Sequence, residues 1–535
     1  MARSVGCGLV VTSTDSEGAR DAAARPERTG LPAEVPPIAW RELAVLAVPL
    51  ALILTIRLGR YPLWGDELYM VPAGRRLSWS YADQGPLVPL QAYLSDLVVP
   101  GSAVLLRLPS VALTVATVLL AALIARELGG GRAAQLIAAL GYVCTPFSVQ
   151  QSAAISTFAY DAALTTLICW LLIRWMRTRQ DLLLLVAGAV AAVDFQVKWL
   201  VVAVWALLGL GVLGWGPREL LRRPALWAAT VLLALSTVPA LLWQAGHGWP
   251  QLAMGAAIRA EQTTMVDSHL ASTVRELVLT TGPSGILLLI GIWTVARAPG
   301  LRPYRFLLPM GVLPLLAVLV AGLRPYYLGS GFAVFFATAA VYLAGDGLRG
   351  WMRRLLPVYF AGGVVVVVAA VCVLPLPHTL LHTPAIRNGD MAVRAQFFGL
   401  RGWPQLADTV EGAVAALPEP DRAQVVIVTQ NYWQASALEV LGDRELPPVF
   451  SPSRGYGYFG PPPDTATRVL YVGGDSITET VSERFATAIP VARLDDPVGF
   501  QGVNHGIRVW FCTEPVRPWS QIWPEMMTLP IEHGT

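Results

Sequence analysis

The chain has 535 residues, 54% of them hydrophobic and 14% charged, a formal net charge of +3 and a mean hydropathy of +0.53. That composition excludes an ordinary soluble protein and describes a polytopic membrane protein. So small a net charge leaves no electrostatic footprint for nucleic acid, and Lys198 is the single lysine, so arginine carries nearly all the positive charge.

Residues 1–39 are polar, Arg-bearing and Pro-containing, with no apolar run before Trp40; they predict a disordered tail rather than a cleaved signal peptide. A bilayer core about 30 Å thick needs about 20 mostly apolar residues per helix. That length divides the chain into eleven spans at 41–58, 103–126, 133–150, 153–174, 181–195, 198–214, 225–244, 276–296, 304–322, 327–346 and 354–375. Cytoplasmic loops are enriched in basic residues, and alternate connections carry Arg126 and Arg132, Arg174 to Arg179, Arg218 to Arg223, Arg297 to Arg305, and Arg349 to Arg354. The alternation reads as topological anchoring, with a cytoplasmic N-terminus and an extracytoplasmic C-terminus. The outer loop 59–102 mixes prolines with aromatic and apolar residues, which suits short helices at the membrane interface. A transmembrane domain over 40–375 is thus followed by an outer domain over 376–535.

In the outer domain, β-branched runs at 424–429, 468–472 and 507–512 alternate with helix-like stretches at 404–416, 431–442 and 476–488, the pattern of a small α/β fold. Gly473-Gly474-Asp475 reads as a turn, because neither a P-loop nor a dinucleotide fingerprint surrounds it. The five cysteines, Cys7, Cys144, Cys169, Cys372 and Cys512, have the spacing of neither a disulfide framework nor a metal cluster.

Ionisable groups at membrane depth cost about 2.5–3.5 kcal/mol each on insertion scales, so those not needed for anchoring are functional candidates. They fall on the outer side: Asp66, Glu67 and Asp83 in the first loop, Asp161 near the outer end of the fourth span, Asp194 and Lys198 around a hairpin, His247 and Arg259 with Glu261, and Arg324 before Tyr326 and Tyr327. Carboxylates beside cations and aromatic rings suit transfer from a phosphate-linked amphipathic donor: a carboxylate takes a proton from the acceptor while Arg or Lys stabilises the departing phosphate. Structural roles compete for the same residues. Asp66 and Asp83 suit turn or helix caps, Asp161 suits an ion pair with Lys198, Lys198 suits snorkelling, His247 a loop position, and the tyrosines an interfacial belt.

Three stretches, Leu63-Trp64-Gly65-Asp66-Glu67-Leu68-Tyr69, Tyr81-Ala82-Asp83-Gln84-Gly85-Pro86 and Arg107-Leu108-Pro109, occur in order with Tyr160-Asp161, His247-Gly248-Trp249-Pro250 and Arg324-Pro325-Tyr326-Tyr327. Together with Asn431-Tyr432, Tyr458-Phe459-Gly460-Pro461 and Asn504-His505-Gly506 in the outer domain, they resemble the glycosyltransferase family 39 branch of the GT-C superfamily over roughly residues 57–535. The resemblance implies a GT-C membrane fold of about eleven helices and an inverting glycosyltransferase, mannosyltransferase-like, that moves a hexose or pentose from a polyprenyl-phosphate carrier to an extracytoplasmic acceptor in the cell envelope. It implies Asp66 as general base, Glu67 and Asp161 as its catalytic partners, and Asp83, Lys198, His247, Arg324, Tyr326 and Tyr327 as substrate-binding groups. No metal ligand set or cofactor is required, and a divalent cation stays open. Gln84 replaces the usual His and Arg324 the usual Lys; Arg keeps the charge as a planar fork rather than a point. The competing classes are a transporter or lipid flippase, whose charges would lie at the bilayer midplane, and a non-catalytic envelope scaffold.

Overall fold

The first apolar run forms α1 (Trp40–Arg57), and the loop after it carries two short helices, α2 (Gly65–Arg75) and α3 (Leu87–Val98), as its prolines and apolar stretches predict. Then come α4 (Ala103–Glu127), α5 (Arg132–Val143), α6 (Pro146–Ser152), α7 (Thr157–Thr178), α8 (Leu182–Phe195), α9 (Leu200–Trp215) and α10 (Pro224–Gly246). They are followed by α11 (Pro250–Met265), α12 (His269–Thr281), α13 (Gly285–Arg297), α14 (Leu308–Ala321), α15 (Gly329–Ala344) and α16 (Gly350–Val368). The structure, a computed structural model, describes residues 35–265, 269–345, 350–368, 394–395, 398–442 and 445–530. Most of the predicted tail, the end of the last predicted span, the 376 boundary, Cys7 and Cys372 lie outside those residues.

Every predicted span contains a helix, and among the described residues six helical stretches are long and apolar enough to cross a membrane by length and composition. The 133–150 span is not one helix. It breaks at Cys144–Thr145, because Pro146 has no N–H to continue the ladder and instead opens α6 at a first-turn position. The centre of the bundle is α15, buried at every position from Gly329 to Ala340. Gly329, Ser330, Gly331, Ala333 and Ala337 keep its surface small enough for neighbouring helices to approach closely.

Among the described residues, the C-terminal domain is a five-stranded sheet of β1 (Val425–Thr429), β2 (Val449–Phe450), β3 (Arg468–Gly474), β4 (Phe485–Leu494) and β5 (Ile507–Pro515), in the order β2-β1-β3-β5-β4. The first three strands are parallel and β5 runs antiparallel between β3 and β4. The helix expected over 476–488 stops at Arg484, and Phe485 begins β4. That strand is a mostly exposed sheet edge with an irregularity between Pro490 and Ala492, so it lacks the apolar alternation by which strands are read. Gly473 and Gly474 close β3, and Asp475 opens a turn and pairs with Arg508 at 2.6 Å.

The C-terminal domain does not stand apart from the bundle. Leu63, Leu68, Tyr69 and Val71 of the first loop share one hydrophobic core with Trp403, Tyr432, Trp433 and Val503. The Trp403 indole donates to the Leu63 carbonyl at 3.0 Å, and Arg76 reaches Glu439 at 2.8 Å. Gly65 makes the seating possible: a Cβ there would fall 2.2 Å from the Trp433 ring. Gly65→Ala should therefore unseat the Tyr432–Leu441 helix while the transmembrane bundle still folds, seen as new proteolytic cleavage between the bundle and the C-terminal domain.

Candidate active site

Two adjacent carboxylates at the start of α2 take different work. Glu67, at the third helical position, accepts the Trp64 backbone N–H at 2.8 Å and so satisfies an orphan amide of the helix start. Its two oxygens also take the Arg107 guanidinium at 2.8 and 2.7 Å, and Oε1 accepts the Ile155 N–H at 3.0 Å. Arg107 spends its remaining donors on the carbonyls of Leu58, Tyr61 and Pro62. Both side chains are buried, so the pair locks the loop to α4.

Relieved of capping, Asp66 turns to the C-terminal domain. Its Oδ1 accepts the Tyr432 hydroxyl at 2.5 Å and the Trp433 indole N–H at 2.8 Å. Oδ2 has no hydrogen-bond partner among the described residues. Burial, first of all, pushes the Tyr432 phenol well above its ordinary pKa, with Asp66 adding to the rise, so Tyr432 stays protonated and donates. The rings of Tyr432 and Trp433 are positioned by Asn431, whose side chain caps their helix by accepting the Trp433 N–H at 2.8 Å.

Asp66 lines a cavity of about 170 Å³ together with Trp64, Gln150, Phe158, Arg324 and Tyr326. Arg324 lies 6.0 Å from the centre of the Tyr326 ring, and Tyr326 packs on Phe158 at 4.4 Å and on Tyr327 at 4.9 Å. Gln150 comes from α6, so the Pro146 break is what brings that wall to the site. Lys198 joins from the α8–α9 turn, its ammonium 3.6 Å above the Phe158 ring and 5.8 Å from Tyr327. This is a cation–π contact where an ion pair with Asp161 was the competing expectation; no such pair forms within 4 Å among the described residues. Asp161 is buried one turn into α7 and accepts the Ser330 hydroxyl at 2.5 Å, with its Oδ1 left unpartnered.

Asp83 is carried to the same region by a backbone stitch: Gly85 N–H donates to Val197 O at 3.0 Å and Leu87 N–H to Gln196 O at 2.9 Å. Only glycine fits at 85, since a Cβ would lie 2.1 Å from the Gln196 carbonyl oxygen. Burial raises the Asp83 carboxyl above the ordinary range; Arg454 draws it down and Asp66 pushes it up. His247 is not brought to this cavity. It is exposed at the end of α10, stacked on Trp243 at 4.0 Å and 6.1 Å from Tyr458.

Sequence reading did not select Tyr432, Trp433, Arg454 or Arg107 as site residues. Arg454 sits at φ +49°, its guanidinium 3.4 Å from the Tyr432 hydroxyl. A buried non-glycine in the left-handed region is held by its surroundings, but nothing local in Ser453-Arg454-Gly455 announces it. Arg107 and the Asn431-Tyr432 pair stand within the family-like stretches, which was the available signal. Trp433→Phe removes one donor from Asp66 with little change of shape. It should lower turnover roughly tenfold to hundredfold with folded yield unchanged, measured as kcat against size-exclusion profile. Among the described residues, no group of three or more His, Cys, Asp or Glu side chains is arranged to hold a metal ion.

Residues 83–243 match the family model described as dolichyl-phosphate-mannose-protein mannosyltransferase. No curated protein sequence matches the chain. Two solved structures of ArnT from Cupriavidus metallidurans share its fold. The apo form has a TM-score of 0.59 at 12% identity, covering 88% of this chain and 98% of that one. The form bound to undecaprenyl phosphate has a TM-score of 0.55 at 13% identity, covering 87% and 97%. The chain thus shares the fold of ArnT over most of both lengths, and its residues 83–243 are similar to the mannosyltransferase family model.

Proposed function

We propose that the protein is an inverting glycosyltransferase that moves a sugar from a polyprenyl-phosphate carrier to an acceptor on the extracytoplasmic side of the cell membrane. The observation that carries this reading is Asp66: a carboxylate fixed through one oxygen by two protonated donors, with the other oxygen unpartnered, at the edge of a cavity lined by Arg324 and Tyr326. A general base needs its lone pair aimed at the acceptor hydroxyl, and holding Oδ1 leaves Oδ2 for that proton. As the acceptor oxygen attacks the anomeric carbon, the bond to phosphate breaks and the leaving group takes on negative charge. Arg324 and Lys198 supply compensating charge there, and Tyr326, Tyr327 and Phe158 offer faces to the sugar and the first isoprene units. Asp161 and Asp83 orient donor and acceptor, and Glu67 holds the Asp66 turn. ArnT was solved with undecaprenyl phosphate bound, which supports a polyprenyl phosphate as the carrier class here.

The test is transfer from a panel of radiolabelled polyprenyl-phosphate hexoses and pentoses to membrane acceptors by purified protein in lipid, with and without a chelator. Transfer from one donor establishes the reading and names the sugar, and loss of rate with chelator would add a divalent cation. Movement of intact donor between leaflets without transfer would replace the reading with a flippase.

A further inference from the structure

At the ends of α7, α9 and the short turn Pro299–Leu307, on the membrane face opposite Asp66, lies a second cavity of about 630 Å³. Arg179, Arg218, Arg222 and Arg302 line it, and Glu219 is its one carboxylate. Several other arginines on this face are paired off. Arg126, Arg174 and Arg177 converge on the buried Glu127, and Arg223 reaches Asp181 at 3.7 Å. In the cavity Glu219 is engaged by Arg179 at 3.0 Å, while Arg218, Arg222 and Arg302 form no ion pair among the described residues. Topological anchoring needs arginines near the surface; it does not need four of them around one hollow with a single counter-charge.

Two further features mark a built site. Arg179 adopts a left-handed backbone, φ +57°, at the end of α7, an uncommon conformation for a non-glycine. Its guanidinium is held 4.8 Å over the Trp175 ring, so the fork is oriented before any ligand arrives. Trp215 lines the cavity and is 58% exposed, and Trp227, 57% exposed, lies on the neighbouring α10. Exposed tryptophans of this kind mark the headgroup level. The length of α7, 22 residues, or about 33 Å at 1.5 Å per residue, sets the cavity one bilayer core away from Phe158.

We infer that this cavity binds the phosphate of an anionic phospholipid in the leaflet opposite the Asp66 site. Basic pockets between membrane helices at headgroup depth hold such groups, and planar guanidiniums bind phosphate oxygens in pairs. The experiment uses full-length protein in neutral detergent, titrated with dioleoyl phosphatidylglycerol, dioleoyl phosphatidylcholine or inorganic phosphate, and followed by native mass spectrometry and thermal midpoint. One phosphatidylglycerol should be retained and the midpoint should rise. In R218Q/R222Q/R302Q the affinity should fall about 100-fold, at about fivefold per arginine near an anionic surface, whereas R297Q, on the same face but outside the cavity, should match wild type. Equal retention of phosphatidylcholine, equal retention by the triple variant, or an equal midpoint rise with inorganic phosphate alone would each overturn the assignment.

Discussion

Asp66→Asn should lower sugar transfer by at least about a hundredfold, and as much as ten thousandfold, the range a positioned general base contributes, with no loss of folded protein. The asparagine carbonyl oxygen can still accept from Tyr432 and Trp433, which meet Oδ1 at 2.5 and 2.8 Å, so the C-terminal domain stays seated. What disappears is the basic lone pair on the second oxygen. The measurement is single-turnover transfer from the donor that wild type uses, alongside the thermal midpoint of both proteins. Unchanged transfer would remove Asp66 from the chemistry and leave it a joint between domains. Collapse of the midpoint would instead show that Asp66 is needed for folding.

The second large effect is on stability. Arg107→Met should destabilise the protein by about 3–5 kcal/mol, the usual cost of stripping one partner from a buried ion pair. Glu67, 1% exposed, would keep its charge without its counter-ion, and the carbonyls of Leu58, Tyr61 and Pro62 would each lose a donor. Adding Glu67→Gln should recover part of the loss, because it removes the uncompensated charge. Arg107→Lys should not rescue, since one ammonium cannot reach two carboxylate oxygens and three carbonyls. Thermal unfolding in detergent across the four proteins checks this. A small effect of Arg107→Met would mean that water enters and solvates Glu67.

The helices were legible because a membrane span announces itself by length and apolarity, and the strand cores β1, β3 and β5 because their runs are rich in β-branched, Leu and aromatic residues. The edge strand β4 was not, since solvent on its face removes the pattern. In the site, Asp66, Asp161, Lys198 and Arg324 stood out as charges that a lipid environment would otherwise exclude. Tyr432 and Trp433 did not: aromatic residues in a soluble domain have many uses, and only their placement over Gly65 turns them toward a carboxylate. Glu67 and Asp66 looked equivalent as neighbours; the helix start separates them, because the third helical position points back at its own amides and the second does not.

The hydrogen bonds to Asp66 come from residues 366 and 367 positions further along the chain. At about 5–20 residues per second, Asp66 leaves the ribosome roughly 20–70 s before the side chains that hold it. The transmembrane bundle is therefore made, inserted and exposed to lipid while the carboxylate still lacks both donors. Only synthesis and docking of the last quarter of the chain completes the site, so a nascent or prematurely ended chain carries the acid without the grip that aims it.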